Sequence, residues 1–281
     1  MTSEDGLLGA AALRRALDRH GVRPLKSLGQ NFVVEPNTIR KVLSAARLPS
    51  NARVLEVGAE AGSLTLALAG ACEHVVALEK DERLLPVLHE VVGVHDNVEI
   101  VQGDALEVEL SSCKADHLVA NLPYNVAATV VIRVLDEAPS VQSLTVMTQR
   151  EVGERLAARP GSKIYGQTTV LVARFASASL AGTVSRRAFF PVPRVDSVIV
   201  RIERREGVEL RHRAEFFQVV KAAFSQRRKT LRNSLAGLFR SPENSERAFR
   251  LAGVDPSMRA ETLTADAFAL LAEELAKSGR T

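Results

Sequence analysis

The chain has 281 residues, 46% hydrophobic and 25% charged, with 37 Lys+Arg, 33 Asp+Glu and two cysteines, Cys72 and Cys113. That balance excludes a disordered chain and a disulfide-stapled scaffold, and no apolar run reaches the roughly 18 residues of a membrane helix. The net charge of +4 hides a division: residues 51–140 carry five basic and fifteen acidic side chains, whereas 141–260 carry 22 basic and 10 acidic. A basic stretch of this kind points to a polyanionic partner.

Glu4 and Asp5 come first, and Leu7–Leu17 reads as a short amphipathic helix interrupted by Arg14 and Arg15. No export signal is read there, so a cytoplasmic protein with no membrane association is expected. From residue 53 short apolar strands alternate with helices. Arg53–Gly58 (RVLEVG) is the first strand and Ser63–Gly70 its helix. His74–Glu79 is the second strand, followed by a helix from Asp81 to about Val92. Asn97–Gln102 and Asp116–Ala120 are the third and fourth, with a helix over Ala127–Leu135, and Ser143–Thr148 is the fifth. Such alternation predicts an α/β fold, a largely parallel sheet with helices on both faces. Val195–Arg204 alternates like a late strand with one solvated face. Beyond Arg205 the spacing is helical, over Glu215–Phe224, Leu231–Phe239, Ser245–Ala252 and Ala265–Lys277, with breaks at Ser241–Pro242 and Asp255–Pro256. Two domains are expected: a sheet domain over 1–205 and a small all-helical domain over 206–281.

Ligands of open α/β sheets bind at the carboxyl ends of the strands. Here the first strand runs into Gly58-Ala-Glu-Ala-Gly62, the second ends in Glu79, and the third leads to Gly103-Asp104. A glycine lets backbone approach a ligand, and an acid after the second strand can accept hydrogen bonds from ribose hydroxyls. Asp104 is placed to accept from an adenine amine. Alone, Glu79 reads as a solvated helix-entry acid and Asp104 as a turn residue. Their order and spacing together point to one adenosine-containing ligand. The loop is not the GxGxxG that cradles a pyrophosphate, which favours S-adenosylmethionine over a dinucleotide.

The fourth strand ends in Asn121-Leu122-Pro123-Tyr124. The lone pair of an adenine amine is delocalised, and the amine must pyramidalise to attack a methyl sulfonium. The Asn121 side-chain carbonyl and the Leu122 backbone carbonyl can each accept one of its N–H bonds, stabilising charge with fixed dipoles. Pro123 stiffens the turn, and the Tyr124 ring can stack on a base. The competing reading is a tight turn after a strand, with Tyr124 covering the core. Further on, Lys221, Arg227, Arg228, Lys229, Arg232 and Arg240 lie in a 20-residue stretch with no acid. A solvated helix usually mixes signs, so a phosphate-facing strip is the better reading.

These motifs resemble the KsgA/Dim1 family of ribosomal RNA adenine dimethyltransferases. The resemblance runs from about Pro24 to Leu271. It rests on Ser27-Leu-Gly-Gln-Asn-Phe32, Leu55-Glu-Val-Gly58, Glu79, Gly103-Asp104 and Asn121-Leu-Pro-Tyr124, then on Phe189-Phe-Pro-Val-Pro-Arg-Val-Asp-Ser197 and Phe224-Ser-Gln-Arg-Arg-Lys-Thr-Leu-Arg-Asn233. It implies a seven-stranded Rossmann-like methyltransferase with a helical C-terminal domain that contacts rRNA. It implies S-adenosylmethionine as cofactor, held by Asn31, Val33, Gly58, Glu79, Asp104 and Asn121. Tyr124 and Phe189 would sandwich a flipped adenine, although Phe189 and Phe190 read equally well as core residues at a strand start. The implied activity is dimethylation of two adjacent adenines near the 3′ end of 16S rRNA in the immature small ribosomal subunit, by a monomer. Alternatives are the related 23S rRNA resistance methyltransferase, a non-catalytic assembly factor and a DNA adenine methyltransferase. The basic strip and the helical tail favour the first reading. One departure stands out: the family's first loop is usually Gly-Pro-Gly-x-Gly, and Glu60 replaces its middle glycine.

Overall fold

A computed structural model describes residues 7–25, 28–226 and 228–278. Ser27 and Arg227, both singled out above, lie outside the described residues.

Five strands form the parallel part of a sheet: β2 (Arg53–Val57), β3 (His74–Glu79), β4 (Val98–Gln102), β5 (His117–Asn121) and β6 (Ser143–Gln149). With β7 (Ala176–Val184) and β9 (Ser197–Arg204) the spatial order is β4-β3-β2-β5-β6-β9-β7, and β9 runs antiparallel to β6. The central strands are Val/Leu-rich because both of their faces are covered. Chain order reverses between β2 and β5, the switch point at which an open α/β sheet leaves a ligand crevice. A separate two-stranded ladder joins β1 (Phe32–Val33) to β8 (Phe189–Phe190), with Val33 opposite Phe189 and Phe32 opposite Phe190.

Apolar clusters form beside the sheet. In one, Ile39 and Val42 of α2 (Pro36–Ala46) pack with Leu68 of α3 (Ser63–Ala69) on Val54, Val75 and Ile199. In another, Leu13 and Leu17 of α1 (Ala10–Arg19) meet Val87 and Leu88 of α4 (Leu85–Val92). The helix after the fourth parallel strand, α5 (Ala127–Glu137), is closed by Arg204, whose guanidinium donates to the carbonyls of Leu135 (2.9 Å), Ala138 (3.1 Å) and Val141 (2.8 Å). At the Leu135 and Ala138 carbonyls, the C-terminal end of the helix, a cation complements the helix dipole.

The chain divides into two compact units, Met1–Glu154 with Ala178–Arg204, and Arg155–Ser177 with Arg205–Thr281. The helical unit takes up the chain again at Arg205 and also includes an earlier segment. Residues 155–177, including α7 (Gln167–Phe175), belong with the helices. Aromatic packing holds them there: the Tyr165 ring packs tilted against Phe224 (centroids 6.2 Å), Phe224 meets Phe268 (5.9 Å), and the Tyr165 hydroxyl donates to the Leu263 carbonyl at 2.7 Å. Phe224 ends α8 (Arg213–Phe224) and Phe268 belongs to α11 (Ala265–Ser278). The Ser241–Pro242 break is a helix start: Ser241 caps α10 (Pro242–Leu251) by accepting from Asn244 N, with Pro242 at the first helical position. The helix expected over Leu231–Phe239 is the shorter α9 (Leu231–Leu235).

Candidate active site

The crevice opens at the strand ends that the sequence motifs mark, lined among others by Gly58, Glu60, Glu79, Asp104, Pro123 and Asn125, with Leu106 and Val130 giving an apolar wall. Gly58 has φ +75°, a left-handed conformation that favours glycine. A Cβ there would stand 3.6 Å from Pro123 Cδ and 3.7 Å from the Asn121 carbonyl oxygen, so the first loop and the Asn121–Tyr124 turn face each other closely. Gly29, also left-handed, packs against the same turn, at Asn125 and Pro123.

Asn121 is buried at the end of β5 and its Nδ2 donates to the Asn31 carbonyl at 3.1 Å. That bond fixes the amide rotation and makes its oxygen the acceptor. Leu122 N donates to Met147 O (3.0 Å), locking the turn to β6. The Tyr124 ring is half-buried, and its hydroxyl shares a 2.9 Å hydrogen bond with Ser197 Oγ. Ser197 closes the Phe189–Ser197 segment, so two motifs far apart in sequence are tied together. Burial holds the tyrosine hydroxyl above its ordinary range, in its neutral form.

Glu79 is 5% exposed, not the solvated helix-entry acid of the competing reading. Its Oε1 accepts from Asp81 N at 2.8 Å and its Oε2 from Glu60 N at 2.7 Å, and burial pushes its carboxyl upward. Asp104 accepts from Leu106 N (2.9 Å) and from Lys80 Nζ (2.5 Å), and the lysine holds it below the usual carboxylate range. An ionised Asp104 is acceptor-only, as an amine-reading group should be.

Two of the expected contact residues have buried side chains. Phe189 is 2% exposed and packs with Val33, Ile39 and Ile199, so its ring belongs to the core. Phe190 is the half-exposed member of the pair, with the Arg14 guanidinium 4.7 Å over its ring. Val33 is 3% exposed in the same core, so its side chain is not a crevice contact. In the helical unit, Lys221, Arg228 and Lys229 are exposed, whereas Arg232 is engaged by Glu246 at 2.8 Å. Two residues emerge only from the structure: Gln30, whose Nε2 donates to Asp81 at 2.8 Å, and Ser197 as an anchor for Tyr124. Both stand inside motifs quoted above, which was the available signal. Among the described residues no metal-ligating cluster occurs and no helix is long and apolar enough to cross a membrane.

A seven-stranded sheet of this order, with an adenosine-suited crevice at the β2/β5 switch, defines a Rossmann-like S-adenosylmethionine-dependent methyltransferase. Residues 23–277 match the family described as ribosomal RNA adenine dimethylase, and the chain belongs to that family. Proteins called ribosomal RNA small subunit methyltransferase A are similar over most of their length. That of Nocardia farcinica is 44% identical (95% of each chain), and that of Kineococcus radiotolerans is 47% identical (95% of this chain, 91% of the relative). Among solved structures, a dimethyladenosine transferase from Plasmodium falciparum superposes with a TM-score of 0.74 at 26% identity, covering 87% of this chain and 97% of that one. The 23S rRNA methyltransferase ErmE gives 0.67 at 28% identity, over 88% and 100%.

Proposed function

We propose that this protein dimethylates the exocyclic amines of two adjacent adenines near the 3′ end of 16S rRNA, acting as a monomer on the immature small ribosomal subunit in the cytoplasm. S-adenosylmethionine supplies an electrophilic methyl group on its sulfonium. Gly58, Glu79, Asp104 and Asn31 would hold it, and the carboxylates at the ends of adjacent strands suit a ribose diol and an adenine amine. The observation that carries the reading is the Asn121 amide, pinned through Nδ2 to the Asn31 carbonyl at 3.1 Å. Its Oδ1, with the Leu122 carbonyl, would accept the two N–H bonds of the target amine and favour the pyramidal form that attacks. The methylated ammonium is acidic and needs no strong base. Tyr124 offers a ring for the flipped base, since enzymes acting on a base take it out of the stack. Lys221, Arg228 and Lys229 would meet backbone phosphates.

The small-subunit substrate is favoured over the large by the relatives at 44% and 47% identity, against 28% for the 23S enzyme. The test is transfer of tritiated methyl groups to both ribosomal subunits purified from unmethylated cells, with the modified bases mapped. Two dimethylated adenines in the small subunit are expected. Label confined to the large subunit would overturn the assignment.

A further inference from the structure

Glu60 stands in the loop between β2 and α3 with φ +53°, a backbone conformation that favours glycine. The side chain that replaces the family's usual glycine lines the crevice. Glu60 Oε1 accepts from Asn31 N at 3.4 Å, the Asn121 side chain stands beside the carboxyl, and Glu60 N is bound to Glu79. Glu60 therefore touches three residues assigned above to the cofactor. The titratable groups facing it are Glu56 from β2, Glu79 from β3 and Tyr124 from the turn after β5, all acids. Lys80, the basic residue lining the crevice, is engaged by Asp104. Glu56 is 1% exposed, and its Oε2 has no hydrogen-bond partner among the described residues.

Three carboxyls gathered with no facing cation among the described residues make a site for one. We infer that the Glu60 carboxylate binds the cationic methionyl end of S-adenosylmethionine, and that capture of the cofactor expels a proton from this cluster. The inference rests on the cofactor reading above. Burial and the neighbouring Glu79 push Glu60 up to about 8, so the free protein holds it protonated at neutral pH. A cation stabilises the ionised form, so affinity climbs as pH rises toward that value. Below it, full release of one proton tightens binding about tenfold per pH unit.

The test is calorimetric titration of the full chain with S-adenosylmethionine between about pH 6.0 and 7.5. This window lies below the titration of the ligand's own amino group, about 7.7–8.0. Parallel runs in buffers of different ionisation enthalpy count the protons. The wild type should tighten about tenfold or more across the window and release close to one proton. Glu60→Gln and Glu60→Gly should bind more weakly at the upper end, change less than about threefold across the window and release correspondingly fewer protons. The glycine variant suits the left-handed backbone, which keeps the comparison clear of misfolding. 5′-Methylthioadenosine, which has neither cationic group, should show no slope with any variant. S-adenosylhomocysteine keeps the ammonium and has no sulfonium: a retained slope assigns Glu60 to the ammonium, and an abolished slope to the sulfonium. Binding by Glu60→Gln with the wild-type affinity and slope would overturn the inference while leaving the cofactor reading intact. No binding by the wild type at millimolar cofactor would overturn the cofactor reading itself.

Discussion

Asn121 joins two tasks in one side chain. Its nitrogen holds the Asn31 segment at 3.1 Å, and its oxygen is left to accept from an amine. Removing one preorganised polar group at a reacting centre typically lowers turnover about 10²–10³-fold. Asn121→Ala should lose methyl transfer to at least that extent while small-subunit binding changes less than about twofold. A filter-binding titration beside the methyl assay separates the two, and equal losses would make the residue structural. Glu56 gives a second prediction at this scale. Desolvation pushes its carboxyl up to about 8, well above the unfolded chain's ordinary range. The native state therefore keeps a proton that the unfolded chain has given up. The stability this group contributes is fully present below the unfolded carboxyl pKa, about 4.3, and fades as pH rises toward about 8. Melting temperatures of the ligand-free protein should fall between about pH 6 and 8, and Glu56→Gln should flatten that fall.

At the scale of elements, β2 and β5 do most to build the site, because their ends hold Gly58 and Asn121 side by side at the switch point. The helix after the Asn121–Tyr124 turn is α5, and Arg204 at the end of β9 closes it with bonds to the carbonyls of Leu135 and Ala138 and, beyond the helix, Val141. Hydrogen bonds to a charged donor are each worth about 1.5–3 kcal/mol. Arg204→Ala should cost about 3 kcal/mol in denaturant unfolding. Arg204→Lys should recover only part of that, since a point charge cannot fork across several carbonyls. The parallel strands were legible because each is a short apolar run between turn residues. β7 was not: its sequence ASASLAGTV lacks the β-branched density of the others and lies at the sheet edge, where one long side is unpaired. α2 and α7 were also unassigned, although Pro36 at the first turn and Ile39, Val42 and Ala46 at helical spacing mark α2.

For the whole molecule, the charge division persists between the structural units, though less steeply than between the sequence intervals. The sheet unit carries 19 basic and 23 acidic side chains, and the helical unit 18 and 10. Moving residues 155–177 into the helical unit brings it Arg155, Arg159, Lys163 and Arg174 with no acid. Every phosphate that a lysine or arginine neutralises steepens the fall of log affinity with log salt by about 1. Reversing Arg228 and Lys229 together to glutamate should weaken small-subunit binding and reduce that slope by about 2. An unchanged slope would place the RNA surface elsewhere. Local signals determined the α/β order, the four strand-end motifs and the basic strip, since strand alternation, glycine placement and charge are properties of neighbouring residues. Tertiary structure alone decided which aromatic of Phe189-Phe190 is buried. Successive strand residues face opposite ways: Phe189 enters one core with its partner Val33, and Phe190 lies with its partner Phe32 at the edge of another, where it stays half-exposed. It alone also decided the state of Glu60. The sequence shows a charged residue where a glycine is usual. The gathering of Glu56 and Glu79 around it, which makes it a proton-holding acid, depends on two strands brought side by side.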